Sequence, residues 1–169
     1  MIKVGDTLPD THLFEYINDA TEGCTLGPSA FSVREQTAGK RVVIFGLPGA
    51  FTLTCSSKHL PGYVDASADL AAAGVDEVWC VSVNDAFVMN AWGQVLEAAG
   101  KVRMISDGNA DFTLALGLYQ DLSRLGMGCR SQRYAMVVED GMVKTLNVEM
   151  PGKFETTDAR TILLTLQES

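Results

Sequence analysis

Three residues stand at a spacing that can do chemistry: Pro48, Thr52 and Cys55. They lie in Phe45-Gly46-Leu47-Pro48-Gly49-Ala50-Phe51-Thr52-Leu53-Thr54-Cys55-Ser56. The helical look of residues 56–73 places Cys55 near the first turn of a helix. Unpaired N–H groups and the positive end of the helix dipole favour an anion there. A cysteine so placed is stabilised as thiolate, the form that acts as nucleophile. Thr52, three residues earlier, carries a hydroxyl that donates or accepts beside the sulfur. Pro48 is a rigid residue able to shield a pocket from water. Each has a plainer reading. Cys55 is otherwise a buried small side chain, Thr52 a helix cap and Pro48 a loop residue. His59 lies four residues beyond Cys55 and is either a base or, as its bland reading has it, a structural hydrogen-bonding histidine. Three further cysteines, Cys24, Cys80 and Cys129, make no Cys-x-x-Cys pair, and only two histidines exist. A structural zinc site is therefore not expected. No Gly-x-Gly-x-x-Gly pattern, nor any metal or flavin signature, calls for a cofactor.

The elements that must hold this segment are readable. Residues 40–47 form a short apolar run with Gly46, Pro48 and Gly49 as a stop nearby, as a buried strand does. Residues 78–83 read the same way. Between them, residues 56–73 look helical, with Pro61-Gly62 interrupting the first turns. Strand, helix, strand is a parallel crossover unit, and sites in such sheets lie beyond the carboxyl ends of strands. A helix is expected over 85–99, a short strand over 102–105 and a short helix over 110–116. Tyr134–Glu139 and Met142–Val148 flank Asp140-Gly141, a strong hairpin signal. A last helix starts near Thr157-Asp158. The order predicts a single α/β domain over 1–169, a mixed central β-sheet with helices on both faces, and fits a thioredoxin-like arrangement.

Composition bounds the function. The 169 residues are 47% hydrophobic and carry 13 basic against 21 acidic side chains, a net charge of −8. Such a chain can bury a core unaided, and its charge argues against binding nucleic acid. No run is long and apolar enough to span a bilayer. The start of the sequence lacks the layout of a secretory signal. The expected location is cytoplasmic, unless an organelle-targeting segment has been removed.

Together, Pro48-x-x-x-Thr52-x-x-Cys55 resembles the peroxiredoxin active-site motif. The longer Pro-Gly-Ala-Phe-Thr-x-Thr-Cys-Ser form, with His59-Leu60-Pro61-Gly62-Tyr63, resembles the type II, peroxiredoxin-5-like, group. The similarity continues through Val81–Met89 and Arg133–Gly141 and so runs over most of the chain. The resemblance implies a thioredoxin-like fold and a thiol peroxidase acting on hydrogen peroxide and alkyl hydroperoxides. Cys55 would be the peroxidatic residue, oxidised to sulfenic acid. Thr52 would orient the peroxide, Pro48 would limit solvent, and an arginine would stabilise the charge. Arg133, immediately before the Tyr134 strand, is the first choice for that arginine; Arg130 is the second.

The same resemblance makes Cys80, 25 residues beyond Cys55, a candidate resolving cysteine, although it falls in a buried strand and is equally readable as a core residue. The cysteine that animal relatives carry near Thr156-Thr157-Asp158 is missing here. Glutaredoxin with glutathione, or thioredoxin, is then the implied reductant. Cys24 and Cys129 read as structural or incidental. Leu53 stands where the family usually has proline, which is expected to loosen the loop or alter a subunit contact. A homodimer is implied, with Phe51 and Trp92 as candidate interface residues. The competing reading is a redox sensor or holdase-like binder with little turnover.

Overall fold

The computed structural model describes residues 1–18 and 26–169, so Cys24 lies outside the described residues. The central strands are β3 (Arg41–Gly46), β4 (Glu77–Ser82) and β5 (Arg103–Ser106), preceded by β1 (His12–Ile17), β2 (Gly27–Ser32) and α1 (Val33–Thr37). A π turn (Cys55–His59) leads into α2 (Leu60–Asp65) and α3 (Ser67–Ala72), and α4 (Ala86–Val95) follows β4. Beyond β5 come α5 (Asp111–Leu116), β6 (Tyr119–Asp121), β7 (Cys129–Ser131), β8 (Tyr134–Glu139), β9 (Met142–Val148) and α6 (Ala159–Glu168). The main sheet has the order β2-β1-β5-β4-β3-β8-β9. Strands β3, β4 and β5 run parallel, while β8 pairs antiparallel with β3 and with β9. This is the mixed, thioredoxin-like sheet that the sequence pattern implies.

Strand alternation sorts the core into two layers. Val43, Phe45, Val78 and Cys80 face one side, beneath Leu60, Tyr63, Leu70, Trp92 and Ile162. Val42, Ile44, Trp79 and Val81 face the other, beneath Val33, Phe112 and Leu116. Each fully buried large side chain contributes about 1.5–3 kcal/mol. Helix starts are fixed by acids: Asp85 accepts from Val88 N at 2.9 Å, and Asp158 accepts from Thr161 N at 3.0 Å. Asp140 and Gly141 both take positive φ, 48° and 77°, as a two-residue hairpin turn requires. Among the described residues, no helix is long and apolar enough to cross a membrane.

Three features differ from the sequence reading. The β1–β2 hairpin has no counterpart in the sequence pattern; it pairs through β1 with β5 and widens the sheet by two strands. Its strands are short, mostly half-exposed and broken by Gly27-Pro28, so they carry little apolar pattern. The β6–β7 pair forms a separate small sheet. The expected helix over 56–73 is instead a π turn and two helices parted at Ala66. Proline at 61 cannot donate to the carbonyl four residues back, and its ring crowds it. The chain widens the turn just before it, with Leu60 N bonded to Cys55 O.

Gly46 ends β3 opposite Tyr134, and a Cβ there would overlap the Tyr134 ring. Gly46→Ala is expected to destabilise the fold by about 1–3 kcal/mol through overpacking, read as a lower urea midpoint at unchanged slope. An unchanged midpoint would mean that the Tyr134 ring moves aside at no cost.

Candidate active site

The β3 strand delivers the chain to the loop Leu47–Thr54, and the loop delivers Cys55 to the start of the π turn. Cys55 is only 1% exposed. The loop is tied down from β4: Ala50 N donates to Asn84 Oδ1 at 2.9 Å, and Ser82 Oγ donates to the same oxygen at 2.7 Å. Phe51 is held at φ 61°. A non-glycine residue there stores backbone strain, a feature found at functional sites. Thr52 Oγ1 donates to Gly49 O at 2.7 Å. Its hydroxyl therefore closes the loop rather than capping the helix, and its lone pairs remain to accept.

The antiparallel β3–β8 register sets Gly46 against Tyr134, so Arg133 projects beside the loop. Its Nη2 donates to Cys55 Sγ at 3.3 Å, and its Nη1 meets His59 Nδ1 at 2.8 Å. Arginine can only donate, so Nδ1 accepts and the imidazole proton sits on Nε2. That proton is donated to Thr157 O at 3.2 Å. Tyr63 Oη donates to the same carbonyl at 2.8 Å. His59 is boxed by aromatic rings, with Phe45 at 4.8 Å and Phe154 at 5.0 Å between centroids. Burial, then the Arg133 charge, push its pKa down to about 3, and the Thr157 bond opposes them. The histidine is thus a neutral acceptor for Arg133, and its geometry fits the bland reading rather than that of a base.

The two arginines are separated cleanly. Arg133 reaches the sulfur, whereas Arg130 reaches backbone: Met127 O at 2.9 Å and Pro48 O at 3.4 Å. Pro48, Thr54 and Arg133 share a cavity of about 500 Å³ with Gln132, Met150 and Phe154. Cys80 lies in the same buried cluster as Cys55, fully enclosed. Burial raises its pKa well above the ordinary thiol value; the nearby Cys55 adds to this and Arg133 opposes it. Cys129 is exposed on β7, in the fold's small sheet, and is not a member of this buried cluster.

Several participants carry no signal in the sequence motif. Asn84 and Ser82 hold the loop, and Glu149 and Thr157 hold the far side of His59. Asn84 stands just past a strand's carboxyl end, a position that could have marked it. Trp92 requires a correction: it is fully buried, with Nε1 bonded to Ser56 Oγ at 3.0 Å, so it offers no surface to a second subunit. Phe51 and Leu53 are exposed, Leu53 at 89%.

A buried thiol at the start of a helical turn, reached by a loop from a central strand and facing a guanidinium in a thioredoxin-like fold, fits a thiol-dependent redox domain. A family model described as Redoxin matches residues 3–163. The chain is similar to Peroxiredoxin-2E-2, chloroplastic, of Oryza sativa subsp. japonica: 48% identical over 168 residues, 98% of this chain and 72% of that protein. A solved structure of reduced Prx3 from Vibrio vulnificus in complex with hydrogen peroxide matches with TM-score 0.91 and 49% identity, over 98% of this chain and 99% of that one. A Burkholderia cenocepacia crystal structure, provisionally named a thioredoxin reductase, matches with TM-score 0.95 and 70% identity, over 98% of each chain. The chain belongs to the Redoxin family and, within it, to the type II peroxiredoxins. It is a thiol peroxidase of antioxidant function, acting on peroxide with a thiol reductant.

His59 stays neutral in the fold down to about pH 3, while an unfolded imidazole takes a proton near pH 6.5. Between those values the unfolded chain binds more protons, so stability rises with pH. The contribution is complete above about pH 6.5 and is lost progressively as pH falls toward 3. Between pH 7.5 and pH 5 this group is expected to remove about 2 kcal/mol. The check is urea unfolding of wild type beside His59→Gln: the pH-dependent loss should be smaller in the variant. Equal losses would contradict the assignment.

Proposed function

We propose that Cys55 is the peroxidatic residue, with Arg133, Thr52 and Pro48 as its catalytic partners. The observation that carries the reading is the Arg133 Nη2 to Cys55 Sγ contact, 3.3 Å, at the rim of the cavity. The thiolate attacks the terminal oxygen of a hydroperoxide in line with the O–O bond. The S–O bond forms as O–O breaks, and the leaving oxygen departs as alkoxide or hydroxide and takes a proton from water. Cys55 becomes a sulfenic acid. Negative charge passes from sulfur to the leaving oxygen, so a fixed cation beside both is most useful at the transition state. Thr52, free to accept from the peroxide O–H, orients it, and Pro48 narrows access. The cavity of about 500 Å³ is lined by Pro48 and Arg133 but not by Cys55 or Thr52; it supports alkyl hydroperoxides as substrates too, as a place for the alkyl group beside the guanidinium.

The sulfenic acid is reduced by external thiol. One thiol condenses with it, releasing water and leaving a mixed disulfide; a second thiol exchanges with that disulfide and frees Cys55. Glutathione with glutaredoxin is the proposed reductant, with thioredoxin as the second choice. A cytoplasmic location, within a reducing thiol pool, goes with it. Cys80 is proposed as a core thiol rather than the resolving residue, since its burial and raised pKa leave little thiolate. We further propose that residues 1–169 act as one domain and that two copies pair through the loop. Exposed Phe51 and Leu53 beside the site support that pairing, and Leu53 then works in the subunit contact.

Intact mass after one equivalent of hydrogen peroxide tests the chemistry, on wild type beside Cys55→Ser and Cys80→Ser. Gain of one oxygen is expected in wild type and Cys80→Ser, and none in Cys55→Ser. Loss of two hydrogens, abolished in both variants, would instead establish a two-cysteine cycle. An unmodified Cys55 would remove the residue assignment. Arg133→Gln is expected to slow the peroxide reaction by about 100-fold or more, the scale of losing one charge-stabilising donor. For the pairing, light scattering at micromolar concentration should give twice the chain mass for wild type and a lower mass for Leu53→Asp; a wild-type monomer would count against it.

A further inference from the structure

The hydrogen bonds around Arg133 close into a ring, and one member of that ring has no part in the peroxide chemistry itself. Glu149 comes directly after β9. Its backbone N donates to Arg133 O at 2.9 Å. Its side-chain Oε1 accepts from the backbone N of Glu155, Thr156 and Thr157 at 2.7, 2.8 and 3.0 Å, and from Thr157 Oγ1 at 3.0 Å. Four donors on one carboxylate oxygen fold the segment Glu149–Thr157 back on itself. The fold-back aims the Thr157 carbonyl at His59 Nε2. His59 Nδ1 in turn holds Arg133 Nη1, which leaves Nη2 directed at Cys55 Sγ. The path runs from Arg133 O through Glu149, Thr157 and His59 back to the Arg133 side chain. The guanidinium is thereby fixed at both its own backbone and its tip.

We infer that Glu149 is a positioning residue for the peroxide reaction, acting through Thr157 and His59 on the direction of the Arg133 guanidinium. It makes no bond to the sulfur; it lines the cavity beside Arg133, and its side-chain bonds run to the Glu155–Thr157 segment. Glu149 is 8% exposed. Burial disfavours its charge, but the bonds from Thr156, Glu155 and Thr157 prevail and hold its pKa below the usual carboxylate value. The anchor is therefore a charged acceptor throughout the neutral range, where a charged acceptor binds its donors more strongly than a neutral one. Without it, the segment keeps only the Tyr63 Oη bond to Thr157 O and the Asn147 Nδ2 bond to Thr156 O, and the Thr157 carbonyl is held less firmly toward His59. The tautomer-fixing bond of His59 is then weakened, and with it one of the two side-chain constraints on Arg133. A displacement of about 1 Å at a group aimed at a reacting atom is enough to slow a reaction by about 100-fold.

The inference rests on the assignment of Cys55 as the reacting thiol, so wild type is measured in the same series. Stopped-flow mixing of reduced protein with hydrogen peroxide gives the second-order rate constant, followed by tryptophan fluorescence across pH 5 to 9. Glu149→Ala is expected to lower that constant about 10- to 100-fold and to shift the acid limb of its profile to higher pH. Glu149→Gln, which keeps an acceptor oxygen of the same reach, should recover most of the loss. Glu77→Ala supplies the stability control. Glu77 bonds Trp79, Lys40 and Arg103 at the opposite end of β4, so the variant should lower the unfolding midpoint and leave the rate constant near wild type. A double-mutant cycle of Glu149→Ala with His59→Ala should be strongly non-additive, because the two act in series. A folded Glu149→Ala with the wild-type constant and profile overturns the inference. So does a loss matched by Glu77→Ala, or additivity with His59→Ala. If Glu149→Ala does not fold, Glu149→Gln beside Glu149→Asp decides, since the shorter side chain withdraws the acceptor from Glu155–Thr157: wild-type constants in both overturn the inference, and a loss in Glu149→Asp with near-recovery in Glu149→Gln supports it. A wild type whose Cys55 does not react removes the residue assignment itself, a different outcome from a reactive wild type beside an equally reactive Glu149→Ala.

Discussion

The antiparallel register between β3 and β8 is the constraint on which the rest depends. It opposes Gly46 to Tyr134. Only glycine fits against that ring, so the two strands approach closely where β3 ends. The residue before Tyr134 and the loop after Gly46 are then brought to the same edge of the sheet. One is Arg133 and the other leads to Cys55. A shift of one residue would turn every β8 side chain to the opposite face and move the cation away from the sulfur. The Cys55–Arg133 contact is thus a by-product of core packing: the same apolar alternation that buries Val137 and Ala135 under one set of helices fixes where the guanidinium begins.

A backbone register sets a Cα, not the end of a long side chain. Arginine has four flexible torsions, and holding its tip requires acceptors, which are scarce in an apolar cluster. The chain supplies two, the Cys55 sulfur and the His59 ring, and the ring carries no charge in the neutral range. A carboxylate in the place of His59 would have competed with the sulfur for the guanidinium's charge. A neutral imidazole directs the N–H bonds without cancelling the cation. Burial by Phe45, Tyr63 and Phe154 is what keeps it neutral, so the aromatic box contributes to electrostatics as well as to packing.

How much of this can be read in the chain depends on the range of each interaction. Pro48, Thr52 and Cys55 are close in sequence, and a strand end before a helix start marks them without tertiary information. The strand bounds of the β8–β9 hairpin are legible to the residue because Asp140-Gly141 fixes the turn, whereas the register shift between Val137 and Val138 is not. Arg133 is found only through the family resemblance, which places an arginine before that strand; residue type alone reads it as a surface charge. The β1–β2 hairpin is not legible, since edge strands that bury one half-face show only weak alternation. Trp92 misleads because a large aromatic near the site suggests surface contact, while its indole in fact bonds Ser56 inside the fold. Thr157 is invisible for a stricter reason. It acts through its carbonyl, which every residue possesses, so residue type carries no signal.

Cys55 and Cys80 share one apolar cluster, and neither is accessible in the closed fold. What separates them is the supply of hydrogen-bond donors. Burial alone disfavours ionisation of any thiol, and at Cys80 burial prevails over the more distant Arg133 charge. At Cys55 a guanidinium N–H lies within bonding distance of the sulfur. A thiolate at Cys55 also discourages a second one at Cys80, because like charges in one cluster raise each other's cost. The single guanidinium sits against one sulfur, Cys55, and not against the other. A disulfide linking them would also need Cα atoms within about 7 Å and a Cys80 sulfur drawn out of the centre of β4. Losing β4's pairing with β3 and β5 is a far larger cost than unwinding one π turn that already lacks a side-chain cap. Opening of the turn is the cheaper movement, and on the proposed chemistry it would present Cys55, rather than Cys80, to a thiol from outside.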